Sequence, residues 1–246
     1  MPPRLTPVKR RFAPRWGFTV LALLAAAVCG RLGVWQWHKG ALREAQVARF
    51  ARGAERTLAP GSTPLTELPL FQRVSISGEL DGAHQFLLEN RSYQGRPGYE
   101  VLTPLVRAGL PAVLVDRGWV PFTGSRAHLP EVSLAGTPHV TLSGRIGTLP
   151  SPGLALGRAA PEPQAQWPKV TSYPDIEQLS AALATPLSPR ILLLDPGAPF
   201  GYVRDWQAPG LSPLRHFSYA IQWWSFALLA LIFWGVTSWR PAERTA

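Results

Sequence analysis

The chain has 246 residues, of which 46% are hydrophobic, and a formal net charge of +10. The positive charge is concentrated at the ends. Five Lys and Arg precede residue 16 with no acid among them, whereas residues 39–212 carry 16 Lys and Arg against 14 Asp and Glu. This distribution, without a basic and aromatic stripe, argues against nucleic-acid binding. The one cysteine, Cys29, excludes a disulfide framework and a cysteine-based metal site within the chain.

Residues 16–37 form a long apolar segment in which the polar side chains are Thr19, Arg31 and Gln36. About 22 residues of α-helix span roughly 33 Å, enough to cross a hydrocarbon core of about 30 Å. A cleaved signal peptide is the alternative, because the small residues 25–27 suit a cleavage site. Cys29 also leaves a weaker lipoprotein interpretation. Apolar and aromatic residues continue through Trp37, so we favour a transmembrane helix.

Residues 216–239 form the second predicted transmembrane helix. The segment is uncharged after His216, and aromatic side chains crowd both of its ends, as expected at membrane interfaces. Basic residues precede the first span and follow the second, so the positive-inside rule predicts that residues 1–15 and 240–246 are cytoplasmic. Residues 38–215 would then form a periplasmic domain.

The sequence between the spans is typical of a β-rich domain. Alternating or short apolar runs predict strands at residues 73–77, 85–89, 99–106, 112–120, 140–146 and 191–195, with a weaker pattern at 201–206. A helix is predicted over residues 176–184, with Asp175 as N-cap and Gln178 completing a capping box. Helical character also continues past the first span to residue 56. The expected fold class is α+β: two transmembrane helices flanking a β-rich extracytoplasmic domain with an antiparallel barrel- or sandwich-like sheet.

Four stretches carry motifs of a known family. They are LGVWQ at residues 32–36, GRPGYEVLTPL at 95–105, VLVDRGWVP at 113–121 and RHFSYAIQWW at 215–224. In this order and spacing, the set resembles the surfeit locus protein 1 family, membrane proteins needed to assemble haem–copper cytochrome c oxidase. The chain departs from the family pattern at two positions. Asp116 stands where the family usually has Asn, and Lys39 where an Arg usually follows the Trp-Gln pair.

The resemblance implies a non-enzymatic assembly factor of the bacterial cell inner membrane. Such a protein binds haem a as cargo and helps to deliver it to, or stabilise it in, the catalytic subunit of the oxidase. The implied partners are that subunit, the haem a synthesis machinery and the lipid bilayer, and no nucleic acid. A cofactor-free membrane chaperone or scaffold for an oxidase subunit is the alternative. The sequence contains no nucleophile elbow or phosphate loop that would favour an enzyme.

The resemblance also points to His216, because a histidine opening the second helix is associated with haem binding in bacterial members. Neutral imidazole is a good ligand for haem iron. Tyr219, Ala220 and Trp223 follow at helical offsets of three, four and seven, which predicts a haem-binding face with Trp223 stacked on the ring. The alternative is an interfacial histidine among the aromatic residues of a membrane belt.

Three further residues are candidates for contact with haem. Arg31 lies about seven residues inward from His38, where a charge is costly unless it snorkels to the headgroups or pairs with a carboxylate. We interpret Arg31 first as snorkelling, and alternatively as the partner of a haem propionate or of an acid on the oxidase. Arg215 is a second propionate candidate, with membrane anchoring as an equal alternative. His38 is a hypothetical second axial ligand, because topology places it near the depth of His216.

The two central motifs are interpreted structurally. Gly95, Pro97 and Gly98 predict a tight turn that leads into the strand beginning at Tyr99. The tripeptide at residues 117–119 predicts a strand end with a packed tryptophan, and a partner-facing role is the second interpretation.

Overall fold

The computed structural model describes residues 10–53, 55–134, 136–150, 159–208, 210 and 212–241. The elements in chain order are β1 (Arg10–Phe12), α1 (Trp16–Arg52), β2 (Thr57–Leu58), a 3₁₀ turn (Leu65–Glu67), β3 (Arg73–Leu80), β4 (Phe86–Tyr93), β5 (Arg96–Arg107), β6 (Leu110–Pro121), β7 (His139–Gly147), β8 (Lys169–Thr171), α2 (Ile176–Leu183), β9 (Ile191–Leu194), α3 (Pro213–Ser238) and β10 (Trp239–Pro241). They belong to two compact units, one made of both chain ends and the other of residues 48–208.

The first unit, the helix pair, contains α1 and α3. Both helices are long and apolar enough to cross a membrane, yet only 11% of the most apolar window of α1 and 6% of that of α3 are buried. A core helix of a soluble protein would bury such a surface, so these helices are suited to contact with lipid. Helix α1 continues well beyond the predicted span and ends at Arg52, and α3 begins with Pro213 in its first turn, where proline is favoured.

The two chain ends meet at one end of the helix pair. Strand β1 pairs antiparallel with β10, so that Phe12 lies opposite Trp239. The Trp234 indole N–H donates to the Thr19 hydroxyl at 2.9 Å, which gives a partner to the first polar side chain of the apolar segment. The start of α1 and the end of α3 are therefore adjacent, and β1 and β10 lie at the same end of the helix pair.

The second unit, the barrel domain, is built on one sheet with strand order β2-β3-β7-β9-β6-β5-β4-β8. An additional pairing between Glu79–Leu80 of β3 and Leu105–Val106 of β5 closes five of these strands into a barrel. Closure removes exposed strand edges, whereas β2, β4 and β8 extend the sheet outside the barrel. The structure thus confirms the expected fold class and resolves its barrel-or-sandwich alternative in favour of a barrel.

The two faces of the sheet form separate apolar clusters. Alternate residues of the strands fill the barrel interior: Val74, Ile76, Leu80, Leu105, Val113, Val115, Leu142, Ile146, Leu192 and Leu194. The intervening residues Leu102 and Leu114 point to the other face, where they pack with Leu179 of α2. This division follows from the two-residue period of a strand, which sends successive side chains to opposite faces.

Six of the predicted strands and helix α2 are present, and the capping box between Asp175 and Gln178 is formed. The prediction of a strand at residues 201–206 was wrong, because only Val203 forms an isolated bridge, to Trp119. The short strands β2 and β8 were not predicted, since two or three residues show no period. The tight turn lies at Gln94 and Gly95, both with positive φ, while Pro97 and Gly98 belong to β5.

Candidate functional site

Two glycines allow α1 and α3 to approach closely. A Cβ at Gly33 would fall on the Trp224 indole, and a Cβ at Gly40 would fall on the Phe217 ring. Between them, the Trp37 ring centroid lies 4.8 Å from that of Phe217 and 5.7 Å from that of Trp224. Small residues facing large aromatic ones are a common means of packing membrane helices, where no hydrophobic effect drives association.

His216 lies in the first turn of α3 and is half-buried on this contact face. Its Nδ1 is 2.9 Å from Oε1 of Gln36 on α1. A carbonyl oxygen can only accept a hydrogen bond, so this contact matches the tautomer with its proton on Nδ1, in which Nε2 keeps its lone pair. The arrangement therefore suits Nε2 as a metal ligand.

The remaining predicted residues of α3 lie beside the contact face or away from it. Tyr219 is 50% exposed, and Arg215 is also exposed. Trp223 is half-buried and makes an edge-to-face contact with Phe226, with centroids 5.9 Å apart. Of the two neighbouring tryptophans, Trp224, eight residues after His216, is the one that packs against Gly33 of α1. His216 is thus followed on α3 by an exposed tyrosine and a half-buried tryptophan.

Arg31 and His38 do not face α3. With 3.6 residues per turn, they lie on the side of α1 opposite to Gly33 and Gln36, and both are exposed. Trp35 shares that side and lies 6.0 Å from the Lys39 ammonium. The structure does not bring His38 to His216, so the hypothesis that both ligate one iron has no geometric support. Arg31 is likewise directed away from His216, towards the surroundings of the helix pair.

Two residues of this contact were missed as site residues. Gln36 was noted only as a polar interruption and as part of a motif, and Trp224 only as part of another motif. The spacing of Gly33, Gln36, Trp37 and Gly40 at offsets of three, four and seven was a usable signal, since it places two glycines and the amide on one helix face.

The two central motifs also meet, as the neighbouring strands β5 and β6. Their register places Gly98 opposite Pro121 and Glu100 opposite Trp119. A Cβ at Gly98 would meet the Val120 carbonyl and the Trp119 indole, which explains why the position is glycine. The predicted packing of Trp119 at the end of a strand is therefore what the structure shows.

Two acidic residues, the buried Asp116 and the partly buried Glu100, lie at this strand contact. Burial raises the pKa of Asp116 well above its ordinary value, the adjacent Glu100 raises it further, and the Gly118 N–H, which donates to Asp116 Oδ1 at 3.0 Å, lowers it. Burial also raises the pKa of Glu100, opposed by Arg91, whose Nε is 3.0 Å from the Glu100 carboxylate. The raised pKa favours the neutral form of Asp116, and the neutral amide of asparagine is what the resemblance to the family implies at this position.

Arg117 is 2% exposed and is surrounded by oxygen acceptors. Its guanidinium donates to the Phe200 carbonyl at 2.6 Å, to Gln85 Oε1 at 2.6 Å and to the Val132 carbonyl at 3.2 Å, and it lies 4.8 Å from the Tyr202 ring. Burial lowers the pKa of Arg117. These bonds fasten two loops to the barrel, so the residue is structural and not partner-facing.

The four motifs therefore meet in pairs, the first with the fourth in the helix pair and the second with the third in the barrel domain. The model of the SURF1 family matches residues 23–228 of the chain, which include all four. The chain belongs to the SURF1 family. It is 32% identical over 233 residues to the SURF1-like proteins Mb2259 of Mycobacterium bovis and MT2294 and Rv2235 of Mycobacterium tuberculosis, covering 90% of this chain and 83% of each relative.

Membership in the SURF1 family indicates the general function of the chain. The SURF1 family is generally linked to cytochrome c oxidase assembly, and it is a family of assembly factors and not of enzymes. Together with the two apolar helices, it indicates a membrane protein.

Proposed function

We propose that the protein assists the assembly of a haem–copper cytochrome c oxidase by binding haem a, with Nε2 of His216 as ligand to the iron. The observation that supports the proposal is the 2.9 Å contact between His216 Nδ1 and Gln36 Oε1, which matches the tautomer with Nε2 free to bind a metal. Haem a is cargo that the chain holds until the catalytic subunit of the oxidase accepts it.

The surroundings of His216 fit a large, mostly apolar ring with two carboxylates. Tyr219 and Trp223 follow His216 on the uncovered side of α3 and offer flat apolar surfaces to a macrocycle. Arg215 is exposed next to the histidine, and a guanidinium there matches a propionate in charge and in hydrogen-bonding geometry. The bound group would supply the metal for the oxidase, while the protein supplies the ligand, the apolar surface and the cation.

Haem binding is tested by producing the protein together with haem a synthesis and recording its absorption spectrum. We expect bound haem a in the wild type and little or none in His216→Ala. His38→Leu is the matched control, because His38 is a nearby histidine on the opposite side of α1. Its absorption and electron paramagnetic resonance spectra should equal those of the wild type. Absence of haem from the wild type would favour the cofactor-free chaperone, and a changed spectrum of His38→Leu would restore His38 as a ligand.

Delivery to the oxidase needs a separate test in a bacterial host that lacks its own member of the family. The wild-type chain should restore the haem content of the catalytic subunit, and His216→Ala should not, although its amount in the membrane is unchanged. Equal restoration by both would assign the assembly role to binding of the subunit alone.

We further propose that the helix pair spans the bacterial inner membrane with both termini in the cytoplasm and the barrel domain in the periplasm. The pairing of β1 with β10 puts these two strands at one end of the pair, and Arg11, Arg15 and Arg240 supply positive charge there. Alkaline phosphatase fused after Pro150 should be active, and the same fusion after Ala246 inactive. Activity of the second fusion would contradict this orientation.

A further inference from the structure

The contact between Gln36 and His216 joins side chains that are 180 residues apart in sequence. At this level, the face of α1 that meets α3 otherwise presents Gly33, Trp37 and Gly40. None of these three side chains can accept a hydrogen bond. Gln36 is thus the residue on this face that can hold a proton on the imidazole.

This hydrogen bond has two consequences for the imidazole. It selects the tautomer with the proton on Nδ1, whereas free neutral imidazole samples both tautomers. It also fixes the ring plane, because Gln36 is half-buried on α1 between Gly33 and Gly40, which contact the Trp224 and Phe217 rings of α3. Hydrogen bonds to the second nitrogen of a metal-binding histidine typically change metal affinity 10- to 100-fold, since they orient the ring and raise its basicity.

We propose that Gln36 is a positioning residue for haem: it holds the proton on Nδ1 of His216 and presents Nε2 as the ligand atom. This inference rests on the proposed function, because it assigns Gln36 a role in the same site. It makes the first family motif, on α1, a functional part of the site whose ligand lies in the fourth, on α3. It also predicts that the strength of the acceptor at position 36 sets the electron donation from His216 to the iron.

Two substitutions at position 36 separate this role from simple packing. Gln36→Leu keeps the approximate size but removes the acceptor, and it should weaken haem a binding about 10- to 100-fold. Gln36→Glu keeps an acceptor and strengthens it, so it should bind haem a within about threefold of the wild type. Its reduction potential should be lower, because a more basic imidazole favours ferric iron. Gln222→Leu is the matched control, since Gln222 is exposed and lies on the side of α3 away from α1.

The haem measurements decide as follows. Weak binding by Gln36→Leu together with near-normal binding and a lowered potential in Gln36→Glu supports the proposal. Wild-type affinity in Gln36→Leu overturns it, and so does equal weakening in both variants, because the acceptor would then be irrelevant.

A measurement without haem distinguishes failure of this inference from failure of the proposed function. In protein labelled with ¹⁵N-histidine, the nitrogen spectrum should show His216 protonated at Nδ1 in the wild type and in Gln222→Leu, and as a mixture of tautomers in Gln36→Leu. Protonation of the wild type at Nε2 overturns the inference whatever the haem result. Protonation at Nδ1 in a wild type that binds no haem upholds the positioning by Gln36 and rejects the haem-binding function.

Discussion

In the barrel domain, a closed ladder of backbone hydrogen bonds joins five strands, and a buried arginine fastens two loops to them. In the helix pair, the backbone bonds lie within each helix, and the helices meet through glycines, aromatic rings and a few side-chain hydrogen bonds. The barrel domain is therefore stabilised by many interactions that act together, whereas the contact between α1 and α3 depends on a few residues in each helical turn.

This difference predicts different effects of substitution in the two units. A change at a buried polar residue of the barrel removes several hydrogen bonds at once, so it should act mainly on folding. A change at the helix contact alters the position and the hydrogen bonding of His216, so it should act mainly on haem binding. The polar bonds of the helix pair carry little stability individually, since such bonds between membrane helices average about 0.6 kcal/mol.

The largest effect is expected from Arg117→Ala. The substitution removes the guanidinium donor of the Phe200 carbonyl and creates a cavity, while Gln85 Nε2 still donates to the Val132 carbonyl and the Thr103 hydroxyl still donates to Gln85 Oε1. We expect the free energy of unfolding of the barrel domain to fall by roughly 2–5 kcal/mol, the range for large-to-small changes at buried positions. Chemical denaturation of the full chain in detergent, followed by circular dichroism, measures it.

Arg126→Ala is the control for this prediction. Arg126 pairs with Glu89 at 2.8 Å, but its side chain is 73% exposed, and exposed ion pairs contribute about 1 kcal/mol or less. Similar losses in the two variants would mean that the buried network is no more important than a surface pair, and the comparison between the units would lose its basis.

A smaller effect, on haem binding, is expected from Gly33→Ala. The added methyl group would displace the Trp224 indole, about two turns of α3 beyond His216, and disturb the contact between the helices, with a cost of about 1–3 kcal/mol for overpacking. Haem a binding should weaken, while the denaturation of the barrel domain stays unchanged. Gly30→Ala is the matched control three residues earlier, because a Cβ there meets nothing within 4 Å. Equal haem binding by the two variants would contradict the proposed importance of the close approach.

The sequence allowed the elements to be predicted better than their contacts. Apolar length revealed both helices, and alternation revealed the long strands, because each signal lies within one segment. The side of α3 that meets α1 could not be chosen, since Trp223 and Trp224 both fit a helical offset from His216. Closure of the barrel depends on two residue pairs between β3 and β5, for which neither strand shows a signal. The contact between His216 and Gln36 could not be predicted either, because it joins two separate segments, although both residues belong to family motifs.

The smallest expected effect tests the acidic pair of the barrel domain through pH. The pKa of Asp116 is raised in the folded protein. Its carboxyl group therefore keeps its proton to a higher pH in the folded state than in the unfolded state. The stability associated with this group is complete below the ordinary pKa of an aspartate and is lost as pH rises through the raised value. Asp116→Asn keeps an oxygen for the Gly118 N–H and removes the titration. We therefore expect a shallower fall of unfolding free energy with pH, and a more stable variant at neutral pH.

Part of the pH dependence should remain in Asp116→Asn, because the pKa of Glu100 is raised as well and its stability changes in the same direction. Denaturation midpoints of the wild type and the variant, measured at several pH values from acid to mildly alkaline, give the two slopes. Asp205→Asn controls for the loss of one negative charge, since Asp205 is an exposed loop residue, and it should leave the slope of the wild type unchanged. A variant with asparagine at 116 that is less stable than the wild type at neutral pH would show that the carboxylate is stabilising. Asp116 would then not act as a neutral equivalent of the asparagine that the resemblance to the family implies at this position.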